Sequence, residues 1–319
     1  MTTIINLEDI KSCMHNLDVV NAMEQGFIQY SNGNTVVPPV GELLFDNPKG
    51  DAHIKYGYIK NDDYYVIKIA SGFYENSKLG IPSSQGLMLL FNQKTGEPKA
   101  VLLDEGFLTD IRTAAAGALS AKYFAPQKIK SIGIIGTGIQ ASLQLQYLQK
   151  QTPCSSVWLW GRNKDHVQKF ANEVDGLYDV NIAKSTSELA KHCNLIVTTT
   201  PAEKALLKAD DIQIGTHITA VGSDTKDKQE LSSNVLKKAD IVIADSLPQS
   251  KSRGEIYRAV SDGAIKEQSI IELGAAIQNS HLQRLNDEQI SIVDLTGVAV
   301  QDIMIAKAVY NAYKDNLRK

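Results

Sequence analysis

The sequence predicts an α/β fold in which a doubly wound parallel sheet is joined to a smaller α+β region. From Lys130 onward, apolar β-branched runs alternate with helical segments, as in a parallel sheet covered on both faces. Between His53 and Leu103 the β-rich runs are short, consecutive and separated by turn residues, which favours a largely antiparallel sheet. A length of 319 residues also suits two domains.

The first third of the chain predicts a helix followed by strands. Apolar residues recur at helical spacing over residues 7–29, with Asn6 or Asp9 as candidate caps. The β-rich runs that follow occupy residues 53–59, 64–70, 86–91 and 100–104. A second helix is predicted over residues 109–124, where Pro126 closes it.

The remaining chain predicts the parallel sheet and one last helix. The apolar runs of this sheet occupy residues 131–136, 157–160, 181–183, 195–200, 217–222, 240–245 and 291–295. The final helix, residues 298–316, lies beyond the sheet. Its apolar side chains suit packing on the first domain, which would make that domain discontinuous.

The composition is that of an ordinary globular protein, with 43% hydrophobic and 22% charged residues and a net charge of −3. No stretch concentrates Lys or Arg, which argues against a nucleic-acid or anionic-membrane partner. The three cysteines lack Cys-x-x-Cys spacing, so we expect no disulfide framework and a reducing, cytoplasmic location. The N-terminal stretch lacks a signal-peptide pattern, and no run approaches the ~18 apolar residues of a membrane span.

A glycine-rich turn at residues 132–141 connects a predicted strand to a predicted helix and has the pattern G-x-G-x-x-A. Gly136 permits the tight turn, Gly138 lets the backbone approach a pyrophosphate, and Ala141 lets the helix pack on the strand. The helix N-terminus offers N–H groups to a phosphate. A merely structural glycine turn is the alternative, but the strand before and the helix after favour a Rossmann dinucleotide-binding domain.

The end of the next strand indicates which dinucleotide would bind. An NAD-binding unit places an acid there, about 20 residues after the glycines, for the ribose 2′-hydroxyl. Here the strand ends in Gly161-Arg162-Asn163, and a guanidinium suits a 2′-phosphate. NADPH is therefore the predicted cofactor. Asp165 close behind keeps NADH as a second option, and a solvated turn residue is the other interpretation of Arg162.

Arg112 lies at the predicted start of a helix, where the macrodipole disfavours a cation. A small carboxylate held jointly by the guanidinium and the helix N-terminus would explain this placement. An ion pair of Arg112 with Asp110 or Glu105 is the alternative, and the residues alone do not decide between them.

Lys68 and Asp224 are two further candidates for chemistry. Lys68 interrupts an apolar strand, where it is either exposed or a desolvated ammonium ion able to hold a carboxylate or move a proton. Asp224 follows the strand at residues 217–222, at the carboxyl end where doubly wound sheets bind ligands. Its charged neighbours indicate an ordinary solvated loop, so its position alone singles it out.

Motifs of other enzyme classes do not occur in the sequence. The six histidines show no paired spacing, so we predict no metal site. No G-x-S-x-G, Walker or H-E-x-x-H motif occurs either, so hydrolase and phosphoryl-transfer functions have no motif in this chain.

Taken in order, the segments above resemble the ornithine cyclodeaminase/μ-crystallin family over nearly the whole chain. The matching segments are the Lys68 strand, Thr95-Gly96-Glu97-Pro98, Leu108-Thr109 with Arg112-Thr113-Ala114-Ala115-Ala116, the turn from Gly136 to Ala141, Ala220-Val221-Gly222-Ser223-Asp224, Gly254-Glu255 and the run from Thr296 to Asp302. The Arg-Thr-Ala-Ala run together with the G-x-G-x-Q-A turn is close to diagnostic of the family.

The resemblance implies a homodimer with a discontinuous substrate-binding and dimerisation domain, residues 1–125 and 298–319, and a Rossmann domain, residues 126–297. It implies that Lys68 and Arg112 hold a substrate carboxylate and that Asp224 is the catalytic carboxylate. With the fingerprint residues, the predicted cofactor-binding set is Ser83, Thr113, Gly136, Gly138, Ile139, Gln140, Arg162, Thr199, Thr219, Val221, Gly222 and Thr296. The family's chemistry is hydride transfer at the α-carbon of an amino acid or its imine.

Two departures from the family pattern bear on the substrate. Many members carry an arginine after the Pro-Pro turn, where this chain has Val40. Cyclodeaminases place an acid in the following strand for the distal ammonium of ornithine, where this chain offers Lys55. A cation there would repel a second ammonium by about 1–4 kcal/mol at ~4 Å. This disfavours ornithine and favours a substrate with one nitrogen and a carboxylate, which Lys55 would help to bind.

The favoured hypothesis is NAD(P)H-dependent reduction of a cyclic imine, because residues 72–76, 87–88 and 294–297 resemble the pyrroline-carboxylate reductase branch. The reaction would convert Δ1-pyrroline-2-carboxylate to L-proline, with Δ1-piperideine-2-carboxylate to L-pipecolate as a related reaction. Asp224 or Lys68 would supply the proton to nitrogen. The alternatives are an ornithine cyclodeaminase (a lyase), an alanine dehydrogenase-like enzyme and, more distantly, a non-catalytic NADPH-binding protein.

Overall fold

The computed structural model describes residues 2–73 and 75–318, which divide into two compact units. Unit 1 comprises Met1–Arg112 and Val298–Lys319, and unit 2 comprises Thr113–Gly297. The sequence placed the boundary at residue 125, whereas the division falls inside the helix Phe107–Phe124. The second part of this helix belongs to unit 2 because it packs there: the Gln144 amide donates to the Thr113 carbonyl at 3.2 Å.

Two short helices open unit 1, where the sequence predicted one helix over residues 7–29. Helix α1 (Leu7–Met14) is capped by Asn6, whose side chain accepts from the Asp9 N–H. Helix α2 (Val19–Ser31) starts anew at Asp18, whose carboxylate accepts from the Asn21 N–H at 3.0 Å. The prediction of a single helix over residues 7–29 is therefore wrong, because a second N-cap, Asp18, starts a new helix after α1 has ended at Met14.

Unit 1 contains a mixed sheet built mainly from antiparallel neighbours. Its strands are β1 (Thr3–Ile5), β2 (Thr35–Val36), β3 (Gly41–Asp46), β4 (Lys49–Ile59), β5 (Tyr64–Phe73), β6 (Ser84–Asn92) and β7 (Pro98–Leu102). Their order is β1-β7-β6-β5-β4-β2, with β3 paired to β4, and β1 is parallel to β7. The predicted antiparallel run is thus present, and the sequence missed the short strands β1 and β2 as well as β3.

Helix α3 (Phe107–Phe124) leads into unit 2, whose sheet is parallel throughout. Its strands are β8 (Ile132–Ile135), β9 (Ser156–Trp160), β10 (Asp179–Ile182), β11 (Leu195–Thr198), β12 (His217–Ala220), β13 (Ile241–Ala244), β14 (Ile271–Glu272) and β15 (Ser291–Asp294). The order is β10-β9-β8-β11-β12-β15-β13-β14. Strands β8, β11, β12, β13 and β15 are buried along their whole length, as expected of a sheet covered on both faces. The predicted doubly wound sheet is confirmed.

Helices alternate with these strands, and a final helix returns to unit 1. The helices of unit 2 are α4 (Ile139–Leu148), α5 (Lys164–Val174), α6 (Thr186–His192), α7 (Ser233–Lys238), α8 (Gly254–Ser261) and α9 (Leu273–Gln278). Helix α10 (Ala299–Asn316) packs against α2, β4 and β5 within unit 1. Among the residues that the structure describes, none of the helices has the length and apolar character needed to cross a bilayer.

Candidate active site

The strand order of unit 2 reverses at β8, which has β9 on one side and β11 on the other. Ligands of doubly wound sheets bind outside the carboxyl ends of the strands at such a switch point. Gly136 follows β8 directly and adopts φ 129°, a conformation that favours glycine. A Cβ on Gly136 would lie 2.3 Å from Oγ1 of Thr199, the residue after β11. The first fingerprint glycine is therefore required by both conformation and space.

The N-terminus of α4 fits a phosphate. Its N-cap is Gly138, which provides no side-chain cap, and a Cβ built on Gly138 would meet nothing within 4 Å. The first N–H groups of a helix lack intrahelical partners and attract anions. Helix α5 differs, because the side chain of its N-cap Asn163 accepts from the N–H groups of Asp165 and His166. The pyrophosphate of a dinucleotide thus fits the N-terminus of α4, where backbone N–H groups are not capped by a side chain and the space beside Gly138 is open.

A cavity of about 350 Å³ lies at this edge of the sheet. It is lined by Gly136, Thr137, Gly138, Trp160, Gly161, Arg162, Asn163, His166, Thr199, Thr200, Pro201, Ala202 and Leu206. The structure therefore brings together four predicted cofactor residues: Gly136, Gly138, Arg162 and Thr199. Sequence reasoning missed Trp160, His166 and the segment after Thr199. Trp160 ends β9, His166 lies in the first turn of α5 and the segment follows β11, and such positions at strand ends and helix starts are the signal that would have found them.

The other predicted cofactor residues lie outside this cavity. Thr219 is fully buried, and its hydroxyl lies 3.0 Å from Nε2 of His217, so its side chain faces the interior of unit 2. Thr296 is also buried, and its hydroxyl donates to Oδ1 of Asp245 at 2.8 Å. The remaining members of the set are Thr113, Ile139, Gln140, Val221 and Gly222 in unit 2 and Ser83 in unit 1.

Glu230 is a buried carboxylate that sequence reasoning did not single out. Its Oε2 accepts from the Thr198 hydroxyl at 2.7 Å and from the Gly222 N–H at 2.8 Å. Its Oε1 accepts from the N–H and the hydroxyl of Thr200, at 2.6 and 2.7 Å. Burial nevertheless raises the pKa of Glu230 to about 7, against these hydrogen bonds. One side chain thus joins the ends of β11 and β12.

Asp224 lies on the loop that Glu230 closes. Its side chain is 41% exposed, and Oδ1 forms an ion pair with Nζ of Lys228 at 2.6 Å. The Ser223 hydroxyl donates to the Lys228 carbonyl at 2.9 Å and holds the loop in shape. Asp224 therefore follows β12 as predicted, as a carboxylate with a lysine partner.

Unit 1 carries a second group of charged side chains, centred on Lys68 of β5. Lys55 on β4 is its direct cross-strand partner, so both side chains leave the same face of the sheet. Their exposed fractions are 2% for Lys68 and 7% for Lys55. The interpretation of Lys68 as an exposed strand residue is therefore wrong, because its side chain lies on the face that α10 covers.

Arg112 joins this group from α3. Because the helix begins at Phe107 rather than Thr109, Arg112 stands in the second turn, and the argument from the first-turn macrodipole does not apply. Its Nη1 donates to Oε1 of Gln301 at 3.3 Å, and its Nε lies 3.3 Å from Oδ1 of Asp302. Nζ of Lys68 lies 3.6 Å from the same oxygen. Two buried cations thus share one carboxylate of α10.

The electrostatics of this group favour a reactive amine. Burial lowers the pKa of Lys68, and the attraction of Asp302 opposes this while the repulsion of Arg112 adds to it. Burial also raises the pKa of Asp104 to about 6, although Asp104 accepts from the Leu108 N–H at 2.9 Å. Sequence reasoning missed Asp104, and it quoted Asp302 only as part of a matching segment. Within the described ranges, no cluster of three or more His, Cys, Asp or Glu residues suits a metal ion.

Unit 2 thus contains a Rossmann sheet with an open phosphate site, and unit 1 contains a buried group of cationic side chains. The family model of the ornithine cyclodeaminase/mu-crystallin family matches residues 1–316, and the chain belongs to this family. The resemblance seen in the sequence is therefore confirmed.

Relatives within the family carry different activities. The chain is 36% identical to alanine dehydrogenase of Archaeoglobus fulgidus over 99% of this chain and 97% of the relative. It is 35% identical to an uncharacterised cyclodeaminase of Sinorhizobium fredii over 92% and 90%. It is 29% identical to Δ1-pyrroline-2-carboxylate reductase of Bacillus cereus over 96% and 95%.

Solved structures agree with this assignment. Δ1-Pyrroline-2-carboxylate reductase of Thermococcus litoralis, in complex with NADH and L-proline, superposes with a TM-score of 0.91 at 27% identity, over 99% of this chain and 98% of that chain. An archaeal alanine dehydrogenase dimer with bound NAD gives 0.89 at 34% identity, over 99% and 97%. The fold is thus that of NAD-binding enzymes of amino and imino acids.

Proposed function

We propose that this protein is an NAD(P)H-dependent reductase of cyclic imino acids, converting Δ1-pyrroline-2-carboxylate to L-proline. The observation that carries the proposal is the buried pair of Lys68 and Arg112, whose cationic atoms lie 3.6 and 3.3 Å from one oxygen of Asp302. Asp302 is the carboxylate that pairs with both cations, and a substrate carboxylate is a second anion that Lys68 and Arg112 can bind. The proline complex of the Thermococcus litoralis relative supports the same substrate class.

Each charged group has a role in this proposal. Arg112 and Lys68 bind the substrate carboxylate, and Lys55 strengthens the positive potential from the neighbouring strand. Reduction of C=N needs a hydride at carbon, which the bound dinucleotide supplies, and a proton at nitrogen. Lys68 is favoured over Asp224 as the proton donor, because an ammonium with a lowered pKa gives up a proton readily. Asp224 is paired with Lys228 and is better suited to accept one.

We propose NADPH as the preferred dinucleotide. Gly136, Gly138 and the first turn of α4 would hold the pyrophosphate. Arg162 lines the same cavity where an NAD-specific unit would place an acid, and its guanidinium suits a 2′-phosphate. The comparison structures carry NADH and NAD, so the preference rests on Arg162 alone.

The test is oxidation of NADPH and NADH by the purified protein with Δ1-pyrroline-2-carboxylate and Δ1-piperideine-2-carboxylate. We expect formation of L-proline or L-pipecolate with equimolar dinucleotide oxidation. Lys68→Met and Arg112→Met should each lower kcat/KM at least about 100-fold, because each substitution removes one contact to the substrate carboxylate in a buried site. Absence of turnover with both imines in the wild-type protein would refute the proposal.

Alanine dehydrogenase activity is the second candidate, and the 36% identity to the Archaeoglobus fulgidus enzyme favours it. Strong dinucleotide oxidation with pyruvate and ammonia, without turnover of cyclic imines, would establish it. Release of ammonia from ornithine without added reductant would instead establish a cyclodeaminase. We do not expect ammonia release, because Lys55 places a cation beside Lys68 where a second ammonium would be repelled.

We further propose that the protein is a cytoplasmic homodimer. The outer face of the unit 1 sheet exposes apolar side chains, including Ile69, Tyr56, Leu43 and Phe45, which a second copy would cover. The archaeal alanine dehydrogenase relative is a dimer. Light scattering should give twice the chain mass, and Ile69→Asp should shift it toward the monomer. The cysteines at positions 13, 154 and 193 are free, which supports a reducing compartment.

A further inference from the structure

Asp302 of α10 is a deeply buried carboxylate among the charged side chains that surround Lys68 in unit 1. It is 1% exposed, and neither of its carboxylate oxygens has a hydrogen-bond partner. Among the described residues it forms ion pairs at 3.3 Å to Nε of Arg112 and at 3.6 Å to Nζ of Lys68. Burying such a carboxylate costs free energy. Apolar residues in place of a buried ion pair commonly give a fold of equal or greater stability, so stability alone does not explain the pair. This placement points to a function.

Gln301, the residue before Asp302, forms hydrogen bonds with the same arginine, Arg112. Gln301 Oε1 accepts from Nη1 of Arg112, and Gln301 Nε2 donates to the Arg112 carbonyl at 3.4 Å. The same Oε1 also accepts from the Val298 N–H at 2.9 Å, which fixes the amide orientation. The guanidinium is thus oriented through Nε and Nη1 by two consecutive residues of α10. Gln301 and Asp302 thus contact Nη1 and Nε of the guanidinium, respectively.

The charged groups that face Lys68 come from four elements. Asp302 faces it from α10, Arg112 from α3, Asp104 from the segment before α3, and Lys55 from β4. Burial favours the neutral amine of Lys68 most strongly, and the charge of Arg112 adds to this effect. Among the attractive partners, Asp302 acts more strongly on Lys68 than Asp104 does.

We propose that Asp302 is a positioning residue that keeps Lys68 an ammonium ion and orients Arg112, so that both can bind the substrate carboxylate. Lys68 then enters the reaction carrying the proton that the imine nitrogen needs. This inference rests on the proposed function for its catalytic meaning. Its physical content, the charge state of Lys68, is measurable without substrate or dinucleotide.

The direct experiment is an NMR titration of the Lys68 side chain in protein labelled with [ε-¹³C]lysine. Lys68→Met identifies the resonance by its disappearance. In Asp302→Asn, which keeps the shape and removes the charge, we expect the pKa of Lys68 to fall by at least one unit. In Asp302→Glu, which restores the carboxylate, we expect most of that fall to be reversed. Equal Lys68 titrations in the wild type and Asp302→Asn would overturn the proposal.

Asp62→Asn is the matched control. It removes one carboxylate from another ion pair of α10, in which Oδ1 and Oδ2 of Asp62 lie 2.7 and 2.6 Å from Nζ of Lys307. A general loosening of α10 would follow from both substitutions, whereas only Asp302→Asn should move the titration of Lys68. A shift of the same size in Asp62→Asn would show that Asp302 acts through the stability of α10, and would also overturn the proposal.

Kinetics separate this inference from the proposed function. If the wild type reduces cyclic imines, the alkaline limb of its kcat/KM profile should move to lower pH in Asp302→Asn by the amount measured for Lys68. At pH 8, kcat/KM should fall at least tenfold. Without imine turnover in the wild type, the proposed function fails while the titration still decides the role of Asp302. Imine turnover with an unmoved titration retains the function and rejects this role.

Discussion

Arg162 shows how much of the cofactor preference depends on one side chain. It is an exposed residue that lines the cavity of about 350 Å³ in unit 2, two residues after the end of β9, where an NAD-specific unit would place its acid. Asn163 already caps α5, so the N–H groups of that helix are engaged by a side chain. A 2′-phosphate would therefore depend on the guanidinium rather than on a helix N-terminus.

We expect Arg162→Ala to raise the KM for NADPH by about tenfold, since a charge-assisted pair contributes roughly 1.4 kcal/mol, and to leave the KM for NADH within about twofold. Steady-state rates with both dinucleotides at fixed imine concentration measure this. Lys169→Ala is the control, because Lys169 lies further along α5 and pairs with Glu173. An equal loss for NADH and NADPH would mean that Arg162 does not read the 2′ position.

Lys68 is a residue whose burial its own strand pattern does not predict. Alternation along β5 left Lys68 either exposed or buried, because period-two patterning does not say which face another element will cover. Helix α10, more than 200 residues later, decides the matter by packing on β4 and β5. The ion pairs of Asp302 were not predicted for the same reason, because its partners Lys68 and Arg112 are distant from it in the sequence.

At the scale of elements, Glu230 holds together the loops after β11 and β12, the first of which lines the cavity of about 350 Å³ in unit 2. Its carboxylate accepts four hydrogen bonds, and two of the donors are the backbone N–H groups of Thr200 and Gly222. A Cβ on Gly222 would lie 2.1 Å from the Thr200 carbonyl, so the two loops are in close contact. Glu255 fixes the following turn by accepting from the N–H of Glu230 at 2.6 Å. The loops after β11 and β12 thus depend on a carboxylate that hydrogen-bonds directly to the cavity-lining residue Thr200.

We expect Glu230→Gln to destabilise the protein by about 1–3 kcal/mol, because the amide NH₂ must then oppose one of the two backbone N–H groups. The loss should also weaken NADH binding several-fold. Urea unfolding and a fluorescence titration measure the two effects. Glu188→Gln is the matched control: Glu188 accepts from the Lys184 N–H at a partly exposed site, where water can replace the bond. Equal unfolding free energies for the two variants would contradict this account.

Elements with strong local signals were predictable, and those decided by caps or pairing were not. The strands of unit 2 follow from their apolar runs because both faces are buried. The break between α1 and α2 depends on Asp18 as an N-cap. In the sequence, an N-cap aspartate cannot be distinguished from an aspartate on the surface of a continuous helix. Strand β3 (Gly41–Asp46) contains mostly exposed residues and exists because it pairs with β4, so its sequence carries little of the pattern.

At the scale of the whole molecule, buried titratable groups of opposite behaviour set the pH dependence of folding. Asp294 ends β15, where its Oδ2 accepts from the Ile256 N–H at 2.9 Å and its Oδ1 has no hydrogen-bond partner. Burial, with the nearby charges of Glu255 and Asp245, raises the pKa of Asp294 well above its usual value. Burial lowers the pKa of His217 to about 3, and its ring contacts the hydroxyls of Ser291 and Thr219.

The two groups act in opposite directions as pH changes. The unfolded chain loses the Asp294 proton near its ordinary pKa of about 4, whereas the folded protein keeps it to higher pH, so this contribution to stability is lost as pH rises. The unfolded chain takes up a proton on His217 below about pH 6.5, whereas the folded protein resists it to about pH 3. The His217 contribution is therefore lost as pH falls through that window.

Asp294→Asn and His217→Gln should consequently show opposite pH slopes relative to the wild type. Between pH 5 and 6.5, the unfolding free energy of the wild type relative to Asp294→Asn should fall as pH rises, by up to about 1.4 kcal/mol per unit. Relative to His217→Gln it should rise with pH over the same range, because the neutral amide does not titrate. Urea unfolding of the three proteins at half-unit intervals measures both slopes. Parallel curves of unfolding free energy against pH for the wild type and Asp294→Asn would contradict this account. They would show that Asp294 is ionised in the folded protein over this pH range.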